Sequence, residues 1–457
     1  MYVMPLSRKN TAISLFAIVV IIAVSVVGYK YRGLIRMKML EFLHSFDDEV
    51  AVAEEEGPPG AWWKARESSF AGSDSLSPLE REQIDLLRSI GYLPGYEEAP
   101  VDFGVTLYDT SLTSDGYNLI ISGHGPGISL VDMNGEEVHT WFNSSVTIDR
   151  LWPEAQDKEL PFEFWRRAHL YPNGDLLVMI EACGIILVNK DSDLLWYSQW
   201  NGAHHDVDID GEGNIYTIGR YIHENSDYFP DKIIAEDYII RLDSLGNETL
   251  RLSTLDVLAS SRYAPVLRDM PDGGDVLHCN TIEFIRPDML PEGYSGPFRP
   301  GSVLLSHRTI DLVCAVDLEE ETVYWAESDL WDMQHQPNLM PDGTMMVLDN
   351  QGYNHLEEEQ STVIQFDPAT GERIWYYQGD SEHPFYTIGS GSCQRLPNGN
   401  TLIVESMMGR AFEVTPDKQI VWEFYNPHRA GENNELIATL FDLVRIPSSS
   451  VDGWLER

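Results

Sequence analysis

Basic residues are scarce in this chain of 457: 31 Lys and Arg stand against 73 Asp and Glu, a formal net charge of −42. So anionic a chain repels phosphate backbones, which argues against nucleic acid as a partner. A Gly-rich phosphate cradle of the Walker type is missing, and no glycine fingerprint opens a helix after a strand, so no nucleotide cofactor is expected. Cysteine is sparse too. Cys183, Cys279, Cys314 and Cys393 have no CxxC spacing, which excludes a disulfide framework and a zinc ribbon and leaves buried free thiols. What is present in quantity is apolar, 43% hydrophobic and 11% aromatic residues, enough for a large core.

Long hydrophobic runs are absent except for one. Between Lys9 and Lys30 lie 20 residues without a charge, long enough to cross a hydrocarbon layer of ~30 Å. The run is long for a signal-peptide core and no small-x-small site ends it, so residues 1–32 are read as an N-terminal transmembrane helix. Arg8 and Lys9 precede it while Lys30, Arg32, Arg36 and Lys38 follow, and this charge bias alone puts the body of the protein inside. Residues 33–100 read as a helical and acidic connector. It holds an amphipathic stretch, LIRMKMLEFLHSF, and a second helix capped by Ser77, with Pro78 in its first turn, Glu80 three residues after the cap and Gly91 at its stop.

From residue 101 to 457 short strands and turns take over, and one pattern recurs: a hydrophobic pair, a polar turn, then a strand closing mostly on Trp. Its six copies end at Trp141, Trp196, Leu250, Trp325, Trp375 and Trp422, at intervals of 55, 54, 75, 50 and 47 residues. A period near 50 is what four antiparallel strands with their turns require, so the expected fold is an all-β, six-bladed β-propeller. The repeated Trp is a packing residue between blades on this reading. The extra length before Trp325 predicts a loop excursion around DMLPEGYSGPFRP.

A second register concerns the inner ends of the blades. Gly174, Gly213, Gly343 and Gly399 sit in polar turns between strand-like runs, and eight residues before them stand Arg166, His205, His335 and Gly391. If the turns join the first and second strands of successive blades, those positions begin the innermost strands and converge on the central channel. His278 opens the comparable strand of the intervening blade, with Asn280 two residues on. A lone His is ordinarily a packing residue, but imidazoles at matching positions of several blades suit a polar ligand. The sixth blade offers Gly391 and Ser392 instead, and His169, five residues from its glycine, belongs elsewhere.

Several segments in one order resemble the bacterial arylsulfate sulfotransferase family of six-bladed propellers across residues 103 to 427: GVTLYDTSLTSDGYNLI, LVDMNGEEVHTW, HHDVDIDGEGNIY, VLHCNTIEF, VLLSHRTIDLV, MQHQPNLMPDGTMMVLDNQG, CQRLPNGNTLIVE and GRAFEVT. The resemblance implies sulfuryl transfer from an aryl sulfate to a phenol through a sulfated histidine, with no 3′-phosphoadenosine donor. Neither cofactor nor metal is expected. It also implies a periplasm-facing domain on an inner-membrane anchor, which outweighs the charge count. Carried over by motif, the nucleophile is His335 in MQHQP. His278 and Asn280 in HCN support it, Arg308 in LLSHRT is the family's arginine, and His205 with Asp206 is its His-Asp pair. His204 is able to exchange roles with His205, and Arg166 is a further candidate.

The chemistry fits those residue types. A sulfate monoester needs a nucleophile, cationic or neutral donors for its oxygens, and a proton for the departing phenolate. Neutral His335 supplies the lone pair, Arg308 a fork of donors and Asn280 a neutral one. Either His205 or His278 is able to serve as the acid and base. Asp206 either orients its histidine or merely ends a strand. The alternative from another class is a noncatalytic, membrane-anchored propeller that binds a ligand or protein partner, because fold alone does not establish function.

Overall fold

The computed structural model describes residues 100–455 except 102, 145, 154–163, 224–225, 329, 351–359, 388 and 431–433, together with the strand Trp62–Lys64. The membrane run between Lys9 and Lys30 and the two connector helices lie outside the described residues. Among those described, no helix is long and apolar enough to cross a membrane. The connector's one described element, Trp62–Lys64, is a strand, paired antiparallel with Leu436–Ala438.

Six antiparallel blades follow one another, five of them built on four consecutive strands and the first completed by a strand from the other end of the chain. Second strands such as Leu176–Ile180 and Met345–Asp349 are buried throughout, because neighbouring blades cover both of their faces. Outermost strands such as Arg373–Gln378 are largely exposed. The turn glycines do join first to second strands. Their φ values of +86, +86, +84 and +89° at Gly174, Gly213, Gly343 and Gly399 are what a residue without Cβ adopts freely.

The closing tryptophans are blade clamps. Trp141 Nε1 donates to the Gly174 carbonyl (3.0 Å), Trp325 to Pro368 (3.2 Å), Trp375 to Pro416 (2.9 Å) and Trp422 to Met133 (3.1 Å), in each case a turn of another blade. The ring closes by mixing the two ends of the chain. Blade 1 takes its inner strand, Leu440–Ile446, from the C-terminal end and its other three from residues 117–141. Gly104–Tyr108 adds a fifth strand to the outer edge of blade 6.

The length before Trp325 is divided between two excursions where the sequence suggests one. The loop expected around DMLPEGYSGPFRP does separate the first two strands of blade 4. A second insertion between blades 3 and 4 holds the helix Thr254–Ala259, the 3₁₀ turn Ala264–Asp269 and the short strand Gly274–Asp275, which runs parallel to Ile234–Leu242. This insertion ends directly before His278.

Candidate active site

The inner strands of blades 1 to 5 share a defect at the same end. The pairing of each with its second strand slips between Leu440 and Asp442, Trp165 and Arg167, His204 and Val207, Cys279 and Thr281, and His335 and Asn338. A β-bulge of this kind breaks the alternation of faces and re-aims side chains. The residues left within the bulges are Phe441, Arg166, His205 with Asp206, Asn280, and Gln336 with Pro337. Blade 6 pairs Ser392–Arg395 without a slip. His205, His278 and Gln336 hold φ values of +65, +51 and +48°, conformations that cost non-glycine residues energy and cluster at functional sites.

His335 is buried and held from one side. Its Nδ1 lies 2.8 Å from Asn350 Oδ1 and 3.0 Å from the Met333 carbonyl. Asn350 is oriented in turn, its Nδ2 donating to the carbonyls of Thr387 (2.5 Å) and Ser390 (2.9 Å), so its oxygen must face the imidazole. Two acceptors at Nδ1 place the ring proton there and leave a lone pair on Nε2, which is buried without a hydrogen-bond partner among the described residues. Burial, then the Arg308 guanidinium, lowers the His335 pKa to about 3, so the ring is neutral at ordinary pH. Arg308 is anchored by its own N–H on the His278 carbonyl (3.0 Å), and its buried Nε is likewise without a partner among the described residues. A bare lone pair beside a guanidinium whose Nε has no partner among the described residues is able to receive an electrophilic anion.

The other imidazoles form a line. His204 Nε2 meets Asp237 Oδ1 (3.1 Å), His204 Nδ1 meets His205 Nδ1 (2.7 Å), His205 Nε2 meets His278 Nε2 (3.3 Å), and His278 Nδ1 meets Asp275 Oδ2. His204 and His205 both belong to the line. Burial lowers His205 well below the ordinary imidazole range, and burial with Arg308 lowers His278 to about 4. Arg220 ties the ends together, its Nε 2.8 Å from Asp237 Oδ1 and its terminal nitrogen 3.2 Å from Asp275 Oδ2.

Three expected supports are placed differently from the simplest reading. Asp206 does not orient His205. Its carboxylate accepts from Arg167 Nε (2.8 Å), the Ile282 N–H (3.1 Å) and the Val207 N–H (3.0 Å), binding blade 3 to blades 2 and 4. Asn280 spends one amide proton on the Gln334 carbonyl (2.9 Å), leaving one for a ligand. Arg166 pairs with Glu181 at 3.5 Å and lies 4.1 Å above the Phe441 ring. One residue further along the inner strands, Arg167 bonds Asp206, Asp442 and Gln336 and so links the inner strands of four blades.

Sequence reasoning missed Asn350, Asp237, Asp275, Arg220, Glu181 and Arg167. Asp275 carried a signal, standing three residues before His278, and Asp237 carried one as an acid inside the apolar strand Ile234–Leu242. The ligand atoms of Glu181, His204 and His205 lie within 4.8 Å of one another, the spacing of a possible cation site. A metal about 2.1 Å from two nitrogens at a tetrahedral angle holds them roughly 3.4 Å apart, so the 2.7 Å between His204 Nδ1 and His205 Nδ1 fits a hydrogen bond better than a shared ion. All four cysteines are buried free thiols.

Residues 168–427, more than half of the chain, match the family model described as arylsulfotransferase (ASST). No curated protein is similar to the chain. Among solved structures, a protein of unknown function from Bacteroides caccae is 10% identical over 68% of this chain and 94% of its own, with a TM-score of 0.41. The WD40 β-propeller domain of Doa1 is 12% identical over 78% of this chain and 100% of its own, with a TM-score of 0.41. Virginiamycin B lyase from Staphylococcus aureus is 12% identical over 61% of this chain and 83% of its own, with a TM-score of 0.33. At these identities and scores the structural likenesses carry no part of the argument.

Proposed function

The chain belongs to the arylsulfotransferase family, and from that premise we propose that it moves a sulfuryl group from an aryl sulfate to a phenolic acceptor through a sulfated His335. The observation that carries this reading is the state of His335: Nδ1–H fixed on Asn350, Nε2 bare, and beside it the Arg308 guanidinium, whose Nε has no partner among the described residues. In the first half-reaction Nε2 attacks sulfur, the N–S bond forms and the S–O bond to the aryl group breaks. The phenolate leaves with a proton from His278 or His205. In the second half-reaction an acceptor phenol returns a proton to the same group and takes the sulfuryl group from Nε2, which restores neutral His335. Arg308 and the remaining amide proton of Asn280 stabilise the nonbridging oxygens, and Asn350 keeps the imidazole in the attacking tautomer.

The reading also places the propeller on the periplasmic face of an inner membrane, held by the run between Lys9 and Lys30. Its support is that run and the family resemblance, and protease accessibility in intact spheroplasts tests it. For the chemistry, purified protein is incubated with 4-nitrophenyl sulfate with and without phenol. Acceptor-dependent release of 4-nitrophenol, with phenyl sulfate as the second product, is the expected result. If binding occurs without turnover across several aryl sulfates, the protein is instead a noncatalytic ligand-binding propeller.

A further inference from the structure

The line Asp237, His204, His205, His278, Asp275 contains four hydrogen-bonded gaps and three imidazoles. Each gap needs one proton, and three neutral rings carry three. The terminal carboxylates fix the outer two: His204 donates from Nε2 to Asp237 and His278 from Nδ1 to Asp275. His205 then has one proton for two neighbours that both present lone pairs. One more proton completes the line. At 2.7 Å the His204 and His205 nitrogens stand at direct hydrogen-bond distance, with no room for a water between them.

We propose that this line is a proton store which takes up one proton when an aryl sulfate binds and delivers it to the departing phenolate. The inference rests on the sulfuryl-transfer reading and extends it to His204, Asp237, Asp275 and Arg220, which act through His205 and His278 and are positioning residues. The charges facing the line are Asp237, Asp275 and Glu181 against Arg220, Arg166 and Arg308, so they balance when the pocket holds no anion. A sulfate monoester seated against Arg308 adds one negative charge and offsets the guanidinium that depresses His278. The balance then favours a fourth proton. In the first half-reaction ester anion, neutral His335 and the protonated line become phenol, sulfated His335 and the three-proton line. The acceptor phenol refills the line as it attacks.

His204→Gln tests the store, because a glutamine amide donates to Asp237 and its oxygen accepts from His205 while passing no proton. Wild-type protein is expected to turn over phenyl sulfate and 4-nitrophenyl sulfate at similar rates. His204→Gln is expected to lose phenyl sulfate turnover by about 10²-fold or more, the size of a lost general acid, and to lose less than about 10-fold with the better leaving group. Equal losses for the two esters overturn the store and leave the sulfuryl-transfer reading standing. Should His204→Gln not fold, the wild type alone decides: a steep dependence of its rate on leaving-group pKa overturns the proposal. The second readout needs no turnover. Calorimetry of 4-nitrophenyl sulfate binding to His335→Ala, in buffers of different ionisation enthalpy, is expected to show uptake of a proton, and no uptake overturns the store. One equivalent of metal that disappears in His204→Gln also overturns it in favour of a cation site at Glu181, His204 and His205.

Discussion

At His335 the useful property is asymmetry: one ring nitrogen is fully engaged and the other has no hydrogen-bond partner among the described residues. Asn350 produces that asymmetry without touching substrate, so Asn350→Ala is expected to lower kcat by about 10²-fold with little change in KM, whereas Asn350→Asp keeps an acceptor at Nδ1 and recovers part of the loss. Equal activity in Asn350→Ala rejects this role. Arg308→Ala removes a preorganised donor, which typically costs roughly 10² to 10³ in rate. The pH dependence has a definite sign. With a folded pKa of about 3, His335 stays unprotonated until strongly acidic solution, so the acid-side loss of the sulfation step belongs near pH 3 to 4. A half-loss near 6.5, the range of an unperturbed imidazole, contradicts the buried, neutral nucleophile. His335 was legible from its offset to a turn glycine and its MQHQP motif, His278 as the opening of the comparable strand, and Arg308 only through the LLSHRT motif of the resemblance. Asn350 and Arg220 were not, because their meaning comes from carbonyls and carboxylates brought to them by other strands.

Among the elements, the bulged inner strands explain both what the repeat revealed and what it concealed. Matching offsets from the turn glycines located His205 and His335 at corresponding blade positions. A regular strand would have sent alternate residues into the blade interface, and the bulge is why Arg166, His205 and Asn280 come free of that alternation. The insertion between blades 3 and 4 is a helix, a 3₁₀ turn and a two-residue strand, which leave no repeat to recognise, so the sequence points to the DMLPEGYSGPFRP loop alone. Yet it brings Asp275 to His278. Close backbone packing backs the same region: a Cβ at Gly202, whose φ is +61°, would stand 2.4 Å from the Arg220 carbonyl oxygen. Gly202→Ala is therefore expected to lower the thermal midpoint and to weaken phenyl sulfate turnover more than 4-nitrophenyl sulfate turnover, as Arg220 shifts. At the blade interfaces Trp422→Ala empties a fully buried clamp and is expected to cost about 3–5 kcal/mol in denaturant unfolding. An unchanged midpoint would falsify the clamp role.

For the whole molecule, the ring is closed by Leu440–Ile446, so truncation before Leu440 removes the inner strand of blade 1 and is expected to abolish cooperative unfolding. Acid should also open the ring. Burial holds His124 and His335 at about 3 and His169, His278 and His307 at about 4, so between pH 6.5 and 4 the unfolded chain binds protons that the folded one refuses. Stability then falls as pH falls through that window. Buried Glu283, raised to about 8, acts with the opposite sign, as do Asp206, Asp208 and Glu405, all raised by burial, while His139, His205 and His428 are lowered like the five and add to the loss on the acid side. Thermal midpoints measured from pH 7 to 4 are expected to drop steeply, and a flat profile contradicts the buried neutral histidines. The central claim, that a sulfuryl group rests on His335, is read most directly from the mass of the intact chain. Protein mixed with 4-nitrophenyl sulfate in the absence of acceptor and quenched in alkali should gain one SO₃ per chain. The label should map to the peptide containing His335, vanish on adding phenol, and be absent in His335→Ala. Acceptor-dependent turnover with no mass gain, or a label on another residue, contradicts the account.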